Sequence, residues 1–242
     1  MKTRIKNTLK HYRDRIIGGG GGIASLADEV RFIRTLLLKQ NAKNLNTLFD
    51  VVYETNWWGN GSGSGSNENL CKGYVAFLQD FFKQHNITSV VDAGCGDWQF
   101  SKNIDFSGIT YYGYDVAQSV IEANTKAYTK ENISFTLYDG DFSKLPSANL
   151  ILCKDVLQHL PNTHIQAFID NLYKYKYALI TNDIGQCVNE DILPTQCRNI
   201  DLRCAPFNLE CKIVFEIQEN HPQNWGISSK PTMLWINPNN SL

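Results

Sequence analysis

The chain has 242 residues, of which 43% are hydrophobic and 19% charged, and its formal net charge at pH 7 is −1. A chain of this size and composition can bury a full core without disulfides or metals, which argues against a metal- or disulfide-dependent scaffold. The near-neutral charge gives no overall field that favours nucleic acid or an acidic membrane. No apolar run approaches the roughly 20 residues of a membrane span, and no hydrophobic signal segment follows the basic start.

The first 54 residues are predicted to form a basic arm and a helical extension. Residues 1–17 carry six Lys or Arg against one acid, Asp14, and are read as a solvated helix or as a contact for an anionic partner. A run of five glycines, residues 18–22, cannot be a helix interior. Ser25 and Asp28 then resemble a capping box. Two apolar faces follow at helical spacing, one from Leu26, Val30, Ile33 and Leu37 and one from Leu45, Leu48, Phe49 and Val52.

The role of these helices stays open at this point. Lying ahead of the remaining domain, residues 55–242, they suit either a cap over its active site or a homodimer contact. The segment that links them to that domain begins with Trp57 and Trp58 and, after Gly59 and Asn60, continues as alternating Gly and Ser up to Ser66. By composition it is a flexible linker, although a linker seldom begins with two tryptophans.

The segment from Ser89 to Trp98 carries the most information. Val90 and Val91 suit a strand covered on both faces. Gly94 and Gly96 follow it, and they allow a tight turn and the close approach of a ligand. The NAD fingerprint would place a third glycine at position 99, where this chain has Gln99. A glycine turn without a ligand is the alternative.

An acidic residue followed by Gly-x-Gly at the end of a first strand resembles the first motif of class I S-adenosylmethionine (SAM)-dependent methyltransferases. Trp98 stands where that family has another glycine, so the turn departs from the usual one. The resemblance covers about residues 55–240. It implies an α/β, Rossmann-like, doubly wound and mostly parallel seven-stranded sheet with a C-terminal antiparallel pair. It also implies SAM as cofactor, held by Asp92, Gly94, Cys95 and Gly96.

Further cofactor contacts follow from the ends of later predicted strands. The second strand, at about Tyr111–Tyr114, ends at Asp115, whose carboxylate can accept hydrogen bonds from ribose hydroxyls. The third, Ile133–Leu137, leads to Asp141 and Phe142. By resemblance, Val116 belongs to the site, Asp141 meets the adenine amino group and Phe142 its face. An ordinary turn aspartate is the alternative for Asp141. In a branch of the family a Trp-Gly segment with a Ser/Gly loop lies across the cofactor, which adds Trp58 and Ser64.

The fourth strand runs into Lys154, Asp155 and, four residues on, His159. This run resembles one from a branch with many sugar O-methyltransferases, including capsular heptose O-methyltransferases, and Lys154 is assigned to the cofactor. A short helix starting near Asp155 would place Asp155 and His159 on one face. A histidine with a pKa near ~6.5 can act as a base that a neighbouring carboxylate orients. Both are therefore the predicted catalytic residues, and a purely structural histidine is the alternative.

After a fifth strand, Tyr177–Thr181, the sequence predicts an acceptor site and a closing antiparallel pair. The long segment 184–209 is expected to cover a ligand. Substrate contacts are assigned to Asp183, Arg198, Arg203 and Phe207, with the arginines able to hold a phosphate in bidentate fashion. A solvated loop with ordinary ion pairs is the alternative. The closing antiparallel pair of strands is predicted at residues 212–217 and 232–236. A methyltransferase sheet has such a pair, whereas an NAD-binding sheet lacks it.

The seven cysteines are odd in number and scattered. Cys95 and Cys153 lie in predicted core or cofactor strands, which indicates reduced thiols and a cytoplasmic protein. No metal site is predicted, because no C-x-x-C pair forms among four loosely clustered cysteines, Cys187, Cys197, Cys204 and Cys211.

The resulting prediction is a SAM-dependent O-methyltransferase that acts on a small molecule. The predicted acceptor is a sugar hydroxyl of a nucleotide-activated precursor, which is used for capsule or another surface polysaccharide. Methylation of a small phosphorylated metabolite and a non-catalytic nucleoside-binding protein are the alternatives. An NAD-dependent oxidoreductase is disfavoured by Gln99 and by the closing antiparallel pair.

Overall fold

The structure is a computed structural model that describes residues 26–220 and 227–239. The basic arm, the glycine run and Ser25 lie outside the described residues, as do the side chains of residues 26–31, which include Leu26, Asp28 and Val30. In the described ranges no helix is long and apolar enough to cross a membrane.

Five α-helices, seven strands and five short 3₁₀ helices make up the regular structure of the described residues. The helices are α1 (Leu26–Asn41), α2 (Leu45–Glu54), α3 (Lys72–Gln84), α4 (Gln118–Tyr128) and α5 (Asn162–Asp170). The strands are β1 (Ser89–Ala93), β2 (Thr110–Asp115), β3 (Ile133–Leu137), β4 (Ala148–Lys154), β5 (Tyr175–Thr181), β6 (Lys212–Asn220) and β7 (Ile227–Ile236). Each predicted strand from β1 to β7 is present.

The strands form one sheet in the order β3-β2-β1-β4-β5-β7-β6. Strands β1 to β5 pair in parallel, whereas β7 runs antiparallel to both β5 and β6. The order reverses between β1 and β4, which is the point at which open α/β sheets place their ligands. The predicted fold class, a mostly parallel seven-stranded sheet closed by an antiparallel pair, is confirmed.

Alternating side chains of the central strands feed two hydrophobic cores, one on each face of the sheet. Val90 and Leu150 belong to the core under α3, and Val91 and Ile151 to the core on the opposite face. Such strands are apolar on both sides because helices cover both faces. The side chains that α3 buries are Tyr74, Leu78, Phe81 and Phe82.

The first helix does not pack its predicted apolar face against the rest of the chain. Ile33 and Leu37, which belong to that face, are 55% and 54% exposed. Thr35 is fully buried instead, and Phe32 stacks on Trp57 with ring centroids 5.7 Å apart. An aromatic contact with the segment after α2 therefore sets the orientation of α1.

Candidate active site

A cleft opens at the carboxyl ends of β1, β2 and β4. It encloses about 800 Å³, including space open to solvent. Ten of the residues predicted from the sequence line it, namely Trp58, Asp92, Gly94, Cys95, Gly96, Asp115, Val116, Lys154, Asp155 and His159. The sequence prediction missed further lining residues, among them Leu45, Phe49, Tyr53, Ser62, Phe100, Tyr138, Gly140 and Leu160.

The floor of the cleft is the glycine turn after β1. Gly94 and Gly96 both have left-handed backbone, with φ of 88° and 56°. A Cβ on Gly94 would lie 2.3 Å from Val156 Cγ2, and one on Gly96 would lie 2.5 Å from Ser62 Oγ. Real Cβ atoms do not approach other heavy atoms so closely, so both positions need glycine for conformation and for space.

Trp98 explains how this turn forms without the family's third glycine. Its backbone is also left-handed, at φ 59°, which is unusual for a bulky residue. The side chain is 4% exposed, and its indole N–H donates to the Tyr111 hydroxyl at 2.9 Å. Burial of a large aromatic ring with its N–H satisfied offsets the backbone strain.

Two buried carboxylates face the cleft. Asp92 accepts a hydrogen bond from the Tyr111 hydroxyl at 2.7 Å, and burial raises its pKa to about 7. Asp115 accepts from the backbone N–H of Gly96 at 2.9 Å and of Ala117 at 3.0 Å. Burial raises the pKa of Asp115 to about 6, although these backbone bonds oppose the shift. A ligand that carries positive charge and hydroxyl donors, as SAM does, therefore fits this part of the cleft.

A strap formed by residues 56–66 packs against the glycine turn. Ser62 N–H donates to Asp97 Oδ2 at 3.1 Å, and Asp97 N–H donates back to Ser62 Oγ at 2.9 Å. The Tyr53 hydroxyl lies 3.0 Å from the same Ser62 Oγ. Farther along, Lys154 Nζ donates to Gly65 O at 2.7 Å. These specific bonds argue against the flexible-linker interpretation of the segment.

Asp155 is part of an ion-pair cluster and does not share a helical face with His159. Its backbone is left-handed, at φ 57°, and the short 3₁₀ helix begins only at Leu157, as Leu157–His159. Its carboxylate contacts Lys154 Nζ and lies 3.2 Å from Lys230 Nζ. Burial would raise the pKa of Asp155, but the two ammonium groups outweigh burial and lower it to about 2. The predicted orientation of His159 by Asp155 through an i, i+4 contact is therefore wrong.

His159 is oriented by a backbone carbonyl. Its Nδ1 lies 3.0 Å from Gln196 O, and because a carbonyl can only accept, Nδ1 carries the proton. Nε2 is then the unprotonated nitrogen. Burial lowers the pKa of His159 to about 4, opposed by the bond to Gln196, so the imidazole is neutral at pH 7. Its ring lies 5.0 Å from that of Trp58.

Three predicted cofactor contacts lie outside the lining of the cleft. The Asp141 carboxylate accepts from the Ser143 N–H at 2.9 Å and caps a short 3₁₀ turn. Phe142 is buried in the core, 5.1 Å from the ring of Phe168. Ser62 and Ser66 line the cleft, whereas Ser64 does not. The Asp141 side chain is bound within a local turn and the Phe142 side chain within the core, and the sequence motif alone does not reveal either contact.

The arginines predicted to hold a phosphate are bound within the loop. Arg203 makes a bidentate pair with Asp201, at 2.9 Å and 2.7 Å. Arg198 donates to Leu160 O at 2.9 Å and to Glu190 O. The predicted role of these arginines as a phosphate clamp is therefore wrong, and the alternative of ordinary ion pairs holds for Arg203.

The other two residues assigned to the substrate, and the cysteines of the loop, also make contacts within the chain. Phe207 is buried in the core, and Asp183 lies 3.7 Å from Lys230 Nζ. Cys187 and Cys204 form a disulfide, whereas Cys95 and Cys153, predicted as reduced thiols, are free and buried. The loop also touches the site directly, since Thr195 N–H donates to His159 O at 2.9 Å.

Comparison with known proteins agrees with this geometry. Residues 90–175 match the model of a methyltransferase domain family. No curated protein matches the chain significantly. Among solved structures, magnesium protoporphyrin IX methyltransferase from Synechocystis PCC 6803 with bound SAM is 18% identical, with a TM-score of 0.55 over 80% of this chain and 98% of that one. TehB from Haemophilus influenzae is 20% identical, with a TM-score of 0.50 over 67% and 60%.

A third structure, described as the conversion of a disulfide bond into a thioacetal group during echinomycin biosynthesis, is 16% identical, with a TM-score of 0.51 over 81% and 94%. At these identities the structural similarities establish the fold alone. The domain match covers the glycine turn and strands β2 to β4. Residues 90–175 thus match a methyltransferase domain, and the sheet that contains them has the fold of solved methyltransferase structures.

Proposed function

We propose that this chain transfers a methyl group from SAM to a hydroxyl of a sugar, as in the tailoring of precursors for capsule or other surface polysaccharide. SAM supplies an electrophilic methyl group when bound. The protein must then align the acceptor hydroxyl and remove its proton. The sugar as acceptor is supported by the resemblance of the Cys153-to-Leu160 run to sugar O-methyltransferases.

The observation that carries the proposal is the state of His159. A neutral imidazole at the cleft, with Nδ1–H held by Gln196 O at 3.0 Å, presents Nε2 as a hydrogen-bond acceptor. Such a nitrogen can accept the proton of a hydroxyl as the oxygen attacks. Trp58 packs against the imidazole and restricts its rotation. Asp155 is the other proposed catalytic residue. Its carboxylate binds the ammonium groups of Lys154 and Lys230 and so fixes the position of both positive charges in the site.

The proposed cofactor contacts are those that line the cleft. Gly94 and Gly96 provide backbone room, Asp115 presents carboxylate oxygens towards ribose hydroxyls, and Trp58 covers one side. The nucleotide-activated form of the acceptor loses its expected support, because Arg198 and Arg203 are bound within the loop. The acceptor is therefore proposed as a sugar, with any charged group recognised elsewhere in the site.

An acceptor screen with radiolabelled SAM tests the proposal. The panel contains free sugars, nucleotide-sugars and small phosphorylated metabolites, and the product is treated with alkali. A methyl ether on a sugar withstands alkali, whereas a methyl ester hydrolyses. The expected result is alkali-stable label on a sugar, lost in His159→Ala and retained in His164→Ala. Label on a carboxyl or amine, or on no sugar at all, would contradict the proposal.

A further inference from the structure

Lys39, on α1, lies over an aromatic ring. Its Nζ lies 4.3 Å from the ring centroid of Trp57, and Trp57 stacks in turn on Phe32. Among the ion pairs of the described residues, none involves Lys39. An ammonium group has three N–H donors, and contact with a π face leaves them able to bind an anion. Burial lowers the pKa of Lys39 to about 8, so the site holds this charge without compensation.

This lysine is close to the proposed acceptor site. Trp57 is followed directly by Trp58, which lines the cleft and lies 5.0 Å from the His159 ring. The positive charge of Lys39 also reaches the imidazole, since it adds to burial in lowering the pKa of His159. A ligand that reaches both Nε2 of His159 and Nζ of Lys39 would therefore lie along the two tryptophans.

The other cations around this end of the cleft are engaged within the chain. Lys154 and Lys230 contact the Asp155 carboxylate. Arg203 pairs with Asp201. An anionic group of a ligand would compete with these carboxylates, whereas at Lys39 it would meet a partly buried cation paired only with a ring.

We propose that Lys39 and Trp57 form an acceptor subsite that binds an anionic group, a phosphate or carboxylate, of a charged sugar. This inference rests on the proposed function, because it places the acceptor between this subsite and His159. A charge-assisted hydrogen bond to a partly desolvated ammonium contributes enough that its loss should weaken binding about 10- to 100-fold. The stacked Trp57 keeps the ammonium in position.

Calorimetric titration of the full-length protein saturated with S-adenosylhomocysteine tests the subsite without turnover. The probes are a hexose phosphate, a hexuronate and the neutral hexose. The wild type should bind one or both anionic probes more tightly than the neutral hexose, and the two anionic probes distinguish phosphate from carboxylate recognition. Lys39→Met should weaken anion binding about 10- to 100-fold, and Lys39→Arg should restore most of it.

Lys43→Met is the matched control, since Lys43 is an exposed lysine in the turn after α1 and its loss changes the net charge equally. It should bind the probes like the wild type. Failure of the wild type to prefer either anionic probe, or equal weakening in Lys39→Met and Lys43→Met, would overturn the subsite. Anion binding through Lys39 without any methylation of a sugar would instead contradict the proposed function alone.

Discussion

Replacement of His159 by alanine should reduce methyl transfer strongly while leaving cofactor binding nearly unchanged. Sugar hydroxyls ionise far above neutral pH, so a positioned base contributes about 10²–10⁴ in rate. That range corresponds to about 2.7–5.4 kcal/mol in activation free energy. In this structure only Nε2 of His159 can act as the base, because Nδ1 carries a proton and donates it to Gln196 O.

The pH dependence sharpens this prediction. Because burial lowers the pKa of His159 to about 4, the imidazole stays unprotonated throughout the neutral range. The His159-dependent part of kcat should therefore be flat from about pH 6 to 8 and fall only as pH approaches about 4. Production of S-adenosylhomocysteine at saturating acceptor measures kcat, and calorimetry with SAM provides the control. Near-normal kcat in His159→Ala, or a protonation step at pH 6–7 that this variant abolishes, would refute the assignment.

Three further outcomes are expected. Deleting residues 61–66 should weaken SAM binding, and SAM should protect the intact strap from proteolysis; equal cleavage with and without SAM would indicate that the strap does not cover the cofactor. Since burial raises the pKa of Asp92 from 3.8 to about 7, its contribution to stability is fully present below the lower value and is lost as pH rises to the higher one. Cofactor-free protein should therefore lose stability between about pH 4 and 7 in thermal melts, and less so in Asp92→Asn. Asp155→Asn should destabilise the fold by about 3–5 kcal/mol in urea unfolding, because it removes the carboxylate that the buried ammonium groups of Lys154 and Lys230 share; unchanged stability would show that this cluster is not structural.

The sheet could be predicted from the sequence because its signals are local. Val90 and Val91 form a short apolar run bounded by turn residues, and each later strand ends in a similar break. Strand β3 has the predicted bounds, and the others differ by a few residues at their ends, except the closing pair, which extends farther. The acids at the ends of β1 and β2 were therefore placed correctly at the cleft.

The parts of the site that could not be predicted depend on contacts between distant segments. Arg198 donates to Leu160 O, which lies 38 residues away along the chain. Lys230 reaches Asp155 from β7, 75 residues away along the chain. Tyr53 enters the cleft from a helix that its apolar spacing marks only as packing surface. At Asp155 the positive φ breaks the helical spacing that the motif suggests.

The cofactor assignment is tested most directly by calorimetric titration of the wild type and Gly94→Val with SAM and with NAD. The wild type should bind SAM and bind NAD negligibly. Gly94→Val should abolish SAM binding, because even a Cβ at this left-handed position would lie 2.3 Å from Val156 Cγ2 and the added side chain would fill the floor of the cleft. Tight NAD binding by the wild type, or SAM binding by Gly94→Val at wild-type affinity, would contradict the account.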